Sequence, residues 1–360
     1  MDVLRPPVVW IKGRCYRKLP FEQNSSETNE NSTPYYEQDE MNYEDETCDA
    51  SDVVEETKSG FRTVMDTPSA LFKFVIGRKA ETKKKIEMET DTRLFIPSQG
   101  QAGDIVITGP SRSGVLSARR QVEVIAESSR QKCSFTHFLS FPLYFDELAT
   151  KAEEFKESVL QKFSQTQGIH PSIFQKPCKL HLTIGMLVLL NQEEVDNAAQ
   201  FLSSCYKDLI RECLHDKPIS IKLEGLEIMN DDPSSVSVLY ARVNELDGKQ
   251  RLQHLADSIV QRFVDHGIMQ HEYDKVKLHA TVMNSSMHSD LEEIARRNNG
   301  RKNYEFNKMR RKYAFDAREI LQVFEDINFG QYHLKEIHIS ERGKYDEHGR
   351  YYCAASVSLP

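Results

Sequence analysis

From residue 60 onward, the apolar positions of the chain alternate between two periods. Runs in which every second residue is apolar, the strand period, stand at 61–65, 93–97 and 104–109. Between and after them, residues 69–75, 77–89 and 111–127 carry apolar side chains at helical spacing. Pro68 sits just ahead of the first helix, where a missing N–H costs nothing. The resulting order is β-α-α-β-β-α.

A second, larger set begins at Ser134. It opens with a strand at 135–143 and a helix at 146–165 whose apolar residues include Leu148, Phe155, Val159 and Phe163. Helices are expected at 192–214, 252–266 and 317–324, and strands at 219–226, 236–243, 332–340 and 351–359. The fold class is α+β. Two domains, 60–131 and 134–360, follow an N-terminal segment of residues 1–59.

One hydrophobic pattern occurs twice. Lys179-Leu180-His181-Leu182-Thr183-Ile184 returns 98 positions later as Lys277-Leu278-His279-Ala280-Thr281-Val282. In a strand, each copy points His and Thr to one face and the apolar residues between them to the other. A lone His-x-Thr is common, and its histidine is usually structural; the duplication is what lifts this pair above that reading. Two imidazoles facing one phosphodiester supply a general base and a general acid, because histidine titrates near neutral pH. The Thr hydroxyls are placed to donate to non-bridging phosphate oxygens. The pairing also implies a two-lobed sheet, with one motif strand from each lobe.

Other histidines rank lower. His338-Ile339-Ser340 is a third His-x-Ser, but it lacks the preceding Lys-Leu and the threonine. His137, on the first strand of the second domain, reads as a packed or rim residue.

Charge and composition change the picture in two places. The net charge of −8 is concentrated in residues 22–57, which hold thirteen Asp and Glu and no Lys or Arg; setting those thirteen aside leaves the rest at +5. Residues 22–58, rich in Glu, Asp, Asn, Ser and Thr, are expected to be disordered, while the mildly basic remainder is compatible with a nucleic-acid partner. Residues 289–312 form a basic insert with eight Lys and Arg. Ahead of the acidic stretch, Val8-Val9-Trp10-Ile11 is a small apolar patch that either packs on the body or docks a partner. Seven scattered cysteines form no Cys-x-x-Cys, and no Asp, Glu, His or Cys cluster has metal-ligand spacing, so neither a metal nor another cofactor is expected. No apolar run approaches the ~20 residues that cross a bilayer, and the start lacks the layout of a signal peptide, so no membrane partner is expected.

Two resemblances sharpen these readings. The duplicated His-x-Thr resembles the two-histidine (2H) phosphoesterase superfamily, which implies metal-independent phosphodiester chemistry on RNA ends or 2′,3′-cyclic phosphates, with His181, Thr183, His279 and Thr281 as the catalytic set. The first unit, with Val75-Ile76-Gly77-Arg78-Lys79-Ala80 between two short helices, is similar to a eukaryotic-type KH domain. Such domains clamp single-stranded nucleic acid at a Gly-x-x-Gly turn. Here Gly77 matches the first glycine, Arg78 and Lys79 the variable basic pair, and Ala80 replaces the second glycine. The resemblance assigns RNA contact to Ile76, Gly77, Arg78, Lys79, Ala80, Lys83 and Lys84. Joined, the two domains resemble a family of subunits of a nuclear, helicase-containing cointegrator complex linked to transcription and alkylation repair. That implies a nuclear location and protein partners. A phosphate-binding scaffold without turnover is the alternative to an active hydrolase.

Overall fold

The computed structural model describes residues 8–11, 14–17, 53–98, 101, 103–271, 273–289 and 313–360. Most of the acidic N-terminal stretch and all of the basic insert after Ser289 lie outside the described residues. The chain divides into two compact units, Met1–Cys133 and Ser134–Pro360.

In the first unit, β1 (Val8–Ile11) and β2 (Arg14–Arg17) form an antiparallel hairpin. A four-stranded antiparallel sheet follows in the order β3-β4-β6-β5, from β3 (Glu55–Thr57), β4 (Gly60–Met65), β5 (Arg93–Phe95) and β6 (Ile105–Gly109). Helices α1 (Phe72–Ile76), α2 (Glu81–Thr90) and α3 (Arg112–Arg130) complete the β-α-α-β-β-α order. Val75, Ile86, Leu94, Ile105, Ile107 and Val115 are fully or almost fully buried and form its core, as a helical and a strand period meeting on one side require. Ser111 caps α3 by accepting from the Gly114 N–H at 3.1 Å.

One correction falls here. Residues 55–57 belong to the stretch expected to be disordered, yet they pair with β4 as an edge strand. All three are exposed, so the pairing rests on main-chain hydrogen bonds that composition does not register.

The second unit is built on eight antiparallel strands in the order β12-β9-β10-β11-β8-β7-β13-β14. These are β7 (His137–Pro142), β8 (His181–Leu187), β9 (Ile219–Ile228), β10 (Val238–Glu245), β11 (Ala280–Asn284), β12 (Asn328–Leu334), β13 (Glu336–Tyr345) and β14 (Tyr351–Ser358). Strand β9 shows why such a sequence forms a half-buried strand: Ile219, Ile221 and Leu223 are fully buried, and the residues between them are not. The helices are α4 (Asp146–Phe163), α5 (Gln192–Cys205), α6 (Arg211–Leu214), α7 (Arg251–Asp265) and α8 (Arg318–Val323). Helix α4 packs on β12, α5 on β14 and α7 on β8. No helix of the described residues is long and apolar enough to cross a membrane.

The eight strands fall into two lobes. Strands β7 and β8 pair over six positions and β10 and β11 over four, but β8 and β11 meet at one pair, Leu182 with Ala280. The two motif strands are therefore neighbours across a thin seam at the centre of the unit.

Two further expectations change. The strand expected at 332–340 is two strands on opposite lobes: β12 pairs with β9, β13 pairs with β7 and β14, and the chain crosses over at Lys335. The helix expected at 192–214 is interrupted at Tyr206–Ile210 by a turn of wider, i to i+5 bonding.

Candidate phosphodiester site and nucleic-acid loop

His181 opens β8, and His279 stands immediately before β11. The Leu182–Ala280 register, followed one step each way, sets His181 opposite Thr281 and Thr183 opposite His279. All four side chains share one face and are half-buried, while Leu182 and Ala280 are buried on the other. The histidines sit on the diagonal of this square, roughly 7–8 Å apart between backbones by strand geometry.

Both imidazoles are held alike. The Nδ1–H of His181 donates to the Lys179 carbonyl at 2.7 Å, and that of His279 donates to the Lys277 carbonyl at 2.7 Å. Each bond selects the tautomer whose Nε2 carries the lone pair. Neither Nε2 has a protein partner among the described residues, and the Thr183 and Thr281 hydroxyls have none either.

Burial lowers the proton affinity of both rings. For His181 desolvation dominates, the bond to the Lys179 carbonyl opposes it, and the neighbouring His279 adds to it. His279 follows the same order, with the Lys277 charge in the last place. At neutral pH both rings are therefore neutral in the free protein, and an anion between them raises their proton affinity.

Aromatic rings flank each histidine. Phe138 lies 5.0 Å from the His181 ring and Tyr351 stands edge-on to it at 5.6 Å; Tyr240 stands edge-on to His279 at 5.2 Å. Beside His279 and Thr183 opens a cavity of about 480 Å³ whose wall includes Met186, Met229, Val260, Met269 and Gln270. A Cβ at Gly185 would stand 2.6 Å from Met269 Cε, so this glycine gives that wall its shape. These aromatic and thioether side chains escaped the reading of the sequence. Tyr240 and Tyr351 lie far from either motif along the chain and carry no local signal.

His338 lies in the cross-strand row of Thr183 and Ser140, two strands out from Thr183. It is buried, its Nε2 is 2.7 Å from Glu336 Oε2, and its Nδ1 has no partner among the described residues. It shares the face of the site without being a third equivalent of the pair. His137 is also buried, with Nδ1 2.9 Å from Thr136 Oγ1. Among the described residues no three His, Cys, Asp or Glu side chains gather as a metal site would need.

In the first unit, Ile76 ends α1 and Gly77 closes it, donating to the Lys73 carbonyl at 3.0 Å. Gly77 has φ +72°, and a Cβ there would collide with Thr82, so glycine is required. Ala80 is left-handed, a conformation glycine adopts without strain, with φ +61°. Lys79 is left-handed too, at φ +51°. The turn thus keeps its shape at a cost of about 1–2 kcal/mol per strained residue. Arg78, Lys79 and Lys84 are exposed; Lys83 is 3.9 Å from Glu87 and partly neutralised. Glu81 already places one negative charge at the start of α2.

Comparison with known proteins follows the same division. Residues 135–359 match the family described as AKAP7 2′5′ RNA ligase-like domain, and residues 62–124 match the KH domain. Activating signal cointegrator 1 complex subunit 1 of Mus musculus is 43% identical over 363 residues, covering 100% of both chains. An uncharacterized protein of Schizosaccharomyces pombe is 29% identical over 151 residues, 41% of this chain and 65% of its own. Among solved structures, the Thermus thermophilus protein TT0787 is 14% identical, covers 62% of this chain and 97% of its own, and gives a TM-score of 0.35.

Proposed function

The chain belongs to the family of activating signal cointegrator 1 complex subunit 1, a KH domain followed by a 2H phosphoesterase-like domain, and from that premise we propose that it is an RNA-binding phosphodiesterase. The KH domain grips single-stranded RNA through Gly77, Arg78, Lys79 and Ala80, with Ile76, Lys83 and Lys84 beside them. The second domain acts on RNA ends or 2′,3′-cyclic phosphates. One imidazole removes a proton from the nucleophile while the other protonates the leaving oxygen. Thr183 and Thr281 donate to the non-bridging oxygens as charge builds on them. The protein does this as a nuclear subunit of a helicase-containing coactivator and alkylation-repair complex.

One observation carries this reading. Two identically tethered imidazoles, each with a free Nε2, share one face with two unpartnered threonine hydroxyls. A structural histidine has no need of a free second nitrogen, and burying one without a partner costs stability.

A second reading, a scaffold that binds a phosphate end without turnover, is favoured by the lowered proton affinity of both rings, which leaves the free protein short of an acid. A panel of labelled RNAs with 3′-phosphate, 2′,3′-cyclic phosphate, 3′-hydroxyl and 5′-phosphate ends decides between them. Wild type is expected to convert one class of end, and His181→Ala to leave it intact. Binding of one end by both proteins with no conversion by either would establish the scaffold.

A further inference from the structure

The repeat in the sequence is longer than the proposed chemistry uses, because Lys179-Leu180 and Lys277-Leu278 precede the two histidines. Packing accounts for the leucines: Leu180 is buried and Leu278 lies against the core. It does not account for the lysines, whose ammonium groups gain nothing from a core.

Each lysine does the same things in its own lobe. Its carbonyl holds the Nδ1–H of the imidazole two residues on. Its ammonium reaches a tyrosine: that of Lys277 is 5.1 Å from the centre of Tyr240 and faces its hydroxyl, and that of Lys179 is 5.5 Å from the centre of Tyr351. Lys179 also lies 3.3 Å from the centre of Tyr345. The tyrosine touched, Tyr240 or Tyr351, is the one standing edge-on to the same imidazole. These tyrosines come from β10 and β14, which are not equivalent strands of the two lobes. The same lysine–tyrosine–histidine arrangement is thus built twice by different routes. Neither lysine has a carboxylate partner among the described residues, and Lys277 lines the cleft with Thr183 and His279.

We propose that the working repeat is Lys-Leu-His-x-Thr, and that Lys179 and Lys277 are cationic positioning residues: each braces a tyrosine against its imidazole and offers positive charge to phosphate oxygens held between the histidines. This rests on the phosphodiester reading of the site. A ring face holds an ammonium without neutralising it, as a carboxylate would. Attack on phosphorus adds negative charge between the lobes, so two flanking cations stabilise the transition state more than the bound substrate. The groups facing His279 are Lys277, Tyr240 with Glu227 accepting from its hydroxyl, and His181 and Thr183, with Lys275 and Tyr273 on the wall of the same cavity. Those facing His181 are Lys179, Phe138, Tyr351, Thr281 and His279.

The test uses full-length protein with each lysine replaced by Met, which keeps the stem, and by Arg, which keeps the charge. Three quantities are read: kcat/KM with its pH profile on the best RNA end, affinity for uridine 3′-monophosphate, and the ring-proton NMR titration of His181 and His279. Lys277→Met is expected to raise the titration of His279, whose proton affinity the Lys277 charge lowers, whereas Lys179→Met is read by affinity and kcat/KM. Each should weaken nucleotide binding and lower kcat/KM about tenfold or more. The Arg variants should recover most of each effect. Lys344→Met, which removes a cation 3.9 Å from the Tyr352 ring that is also paired with Glu341 at 3.1 Å, is the control for a carboxylate-neutralised lysine on a tyrosine and should match wild type. Met variants that titrate and bind like wild type, or that behave like the Arg variants, would show that the lysines only pack and overturn the proposal. The titration and the affinity need no turnover. A wild type that converts no RNA end therefore counts against the phosphodiesterase, while these readouts still decide the role of the lysines.

Discussion

The two sides of the site are alike in chemistry and unlike in surroundings. His181 and His279 are tethered through the same nitrogen, to the same kind of carbonyl, at the same distance. Beside His181 stand two aromatic rings, Phe138 and Tyr351. Beside His279 stands one ring, Tyr240, and then the methionine-lined cavity. The repeat supplies the tether, the free nitrogen and the hydroxyl, whereas the walls come from strands and loops outside it. Thioether walls adapt to many planar ligands, and rigid rings select by stacking. A substrate with different groups on its two sides therefore has one preferred direction across the seam.

The sharpest way to break this comparison is to remove the imidazoles. His181→Ala and His279→Ala are each expected to lower kcat by two to four orders of magnitude, and the double variant should be little worse than either. Loss at one histidine alone would make the chemistry as lopsided as the walls. The wild-type pH dependence of kcat/KM should be a bell centred below pH 6.5, because burial depresses both rings and a productive pair needs one proton. The rate then climbs as pH falls from 8 towards 6.5, the reverse of what a simple deprotonated base would give.

Next in size are changes to the walls. Gly185→Val should push Met269 into the cavity and raise KM about tenfold or more for substrates that place a base there, with kcat largely kept. Tyr351→Leu should instead act on the group beside His181, so a dinucleotide series varied at one base at a time separates the two. Equal responses at both positions would show that the substrate has no fixed direction.

Smaller effects are expected in the KH unit, where main-chain shape replaces side-chain chemistry. Reversing Arg78 and Lys79 to Glu should weaken single-stranded RNA binding and flatten its salt dependence, while hydrolysis of a small cyclic nucleotide stays unchanged. The mildest change, Ala80→Gly, relieves a left-handed residue. It should stabilise the unit by about 1 kcal/mol or less, read from chemical denaturation, since the glycine also costs entropy.

What the sequence reveals follows the range of each signal. Periodicity is local, and it located the KH order and most strands of the second unit. The four candidate residues that share one face were legible as a set because they repeat, and a repeat needs no knowledge of the fold. Tyr240, Tyr351 and the methionine wall were not legible, because only pairing brings those distant segments to the motifs. The division of 332–340 left a trace that could have been used: Tyr332 and Leu334 are buried on one phase of the alternation, Ile337 and Ile339 on the other, and the phase slips at Lys335. The edge strand at 55–57 left almost none, since its pairing is main-chain apart from the Thr57 hydroxyl, which donates to the Gly60 carbonyl at 2.9 Å.

The crossover at Lys335 also sets an order of assembly. Strands β7 and β8 are among the first parts of the second unit to be synthesised, but β13, which pairs with the outer edge of β7, and β14 beyond it are the last. Between Pro142 and Glu336 the outer edge of β7 has no partner strand, for roughly 10–40 s at ordinary rates of translation. An open edge whose residues 137–141 are destined for burial invites pairing with other chains. The last strands therefore act as a closing clasp on the newborn domain. A chain halted at Lys335 would carry both histidines and the whole methionine wall, yet it would lack Tyr351 and expose a strand that the finished protein never shows.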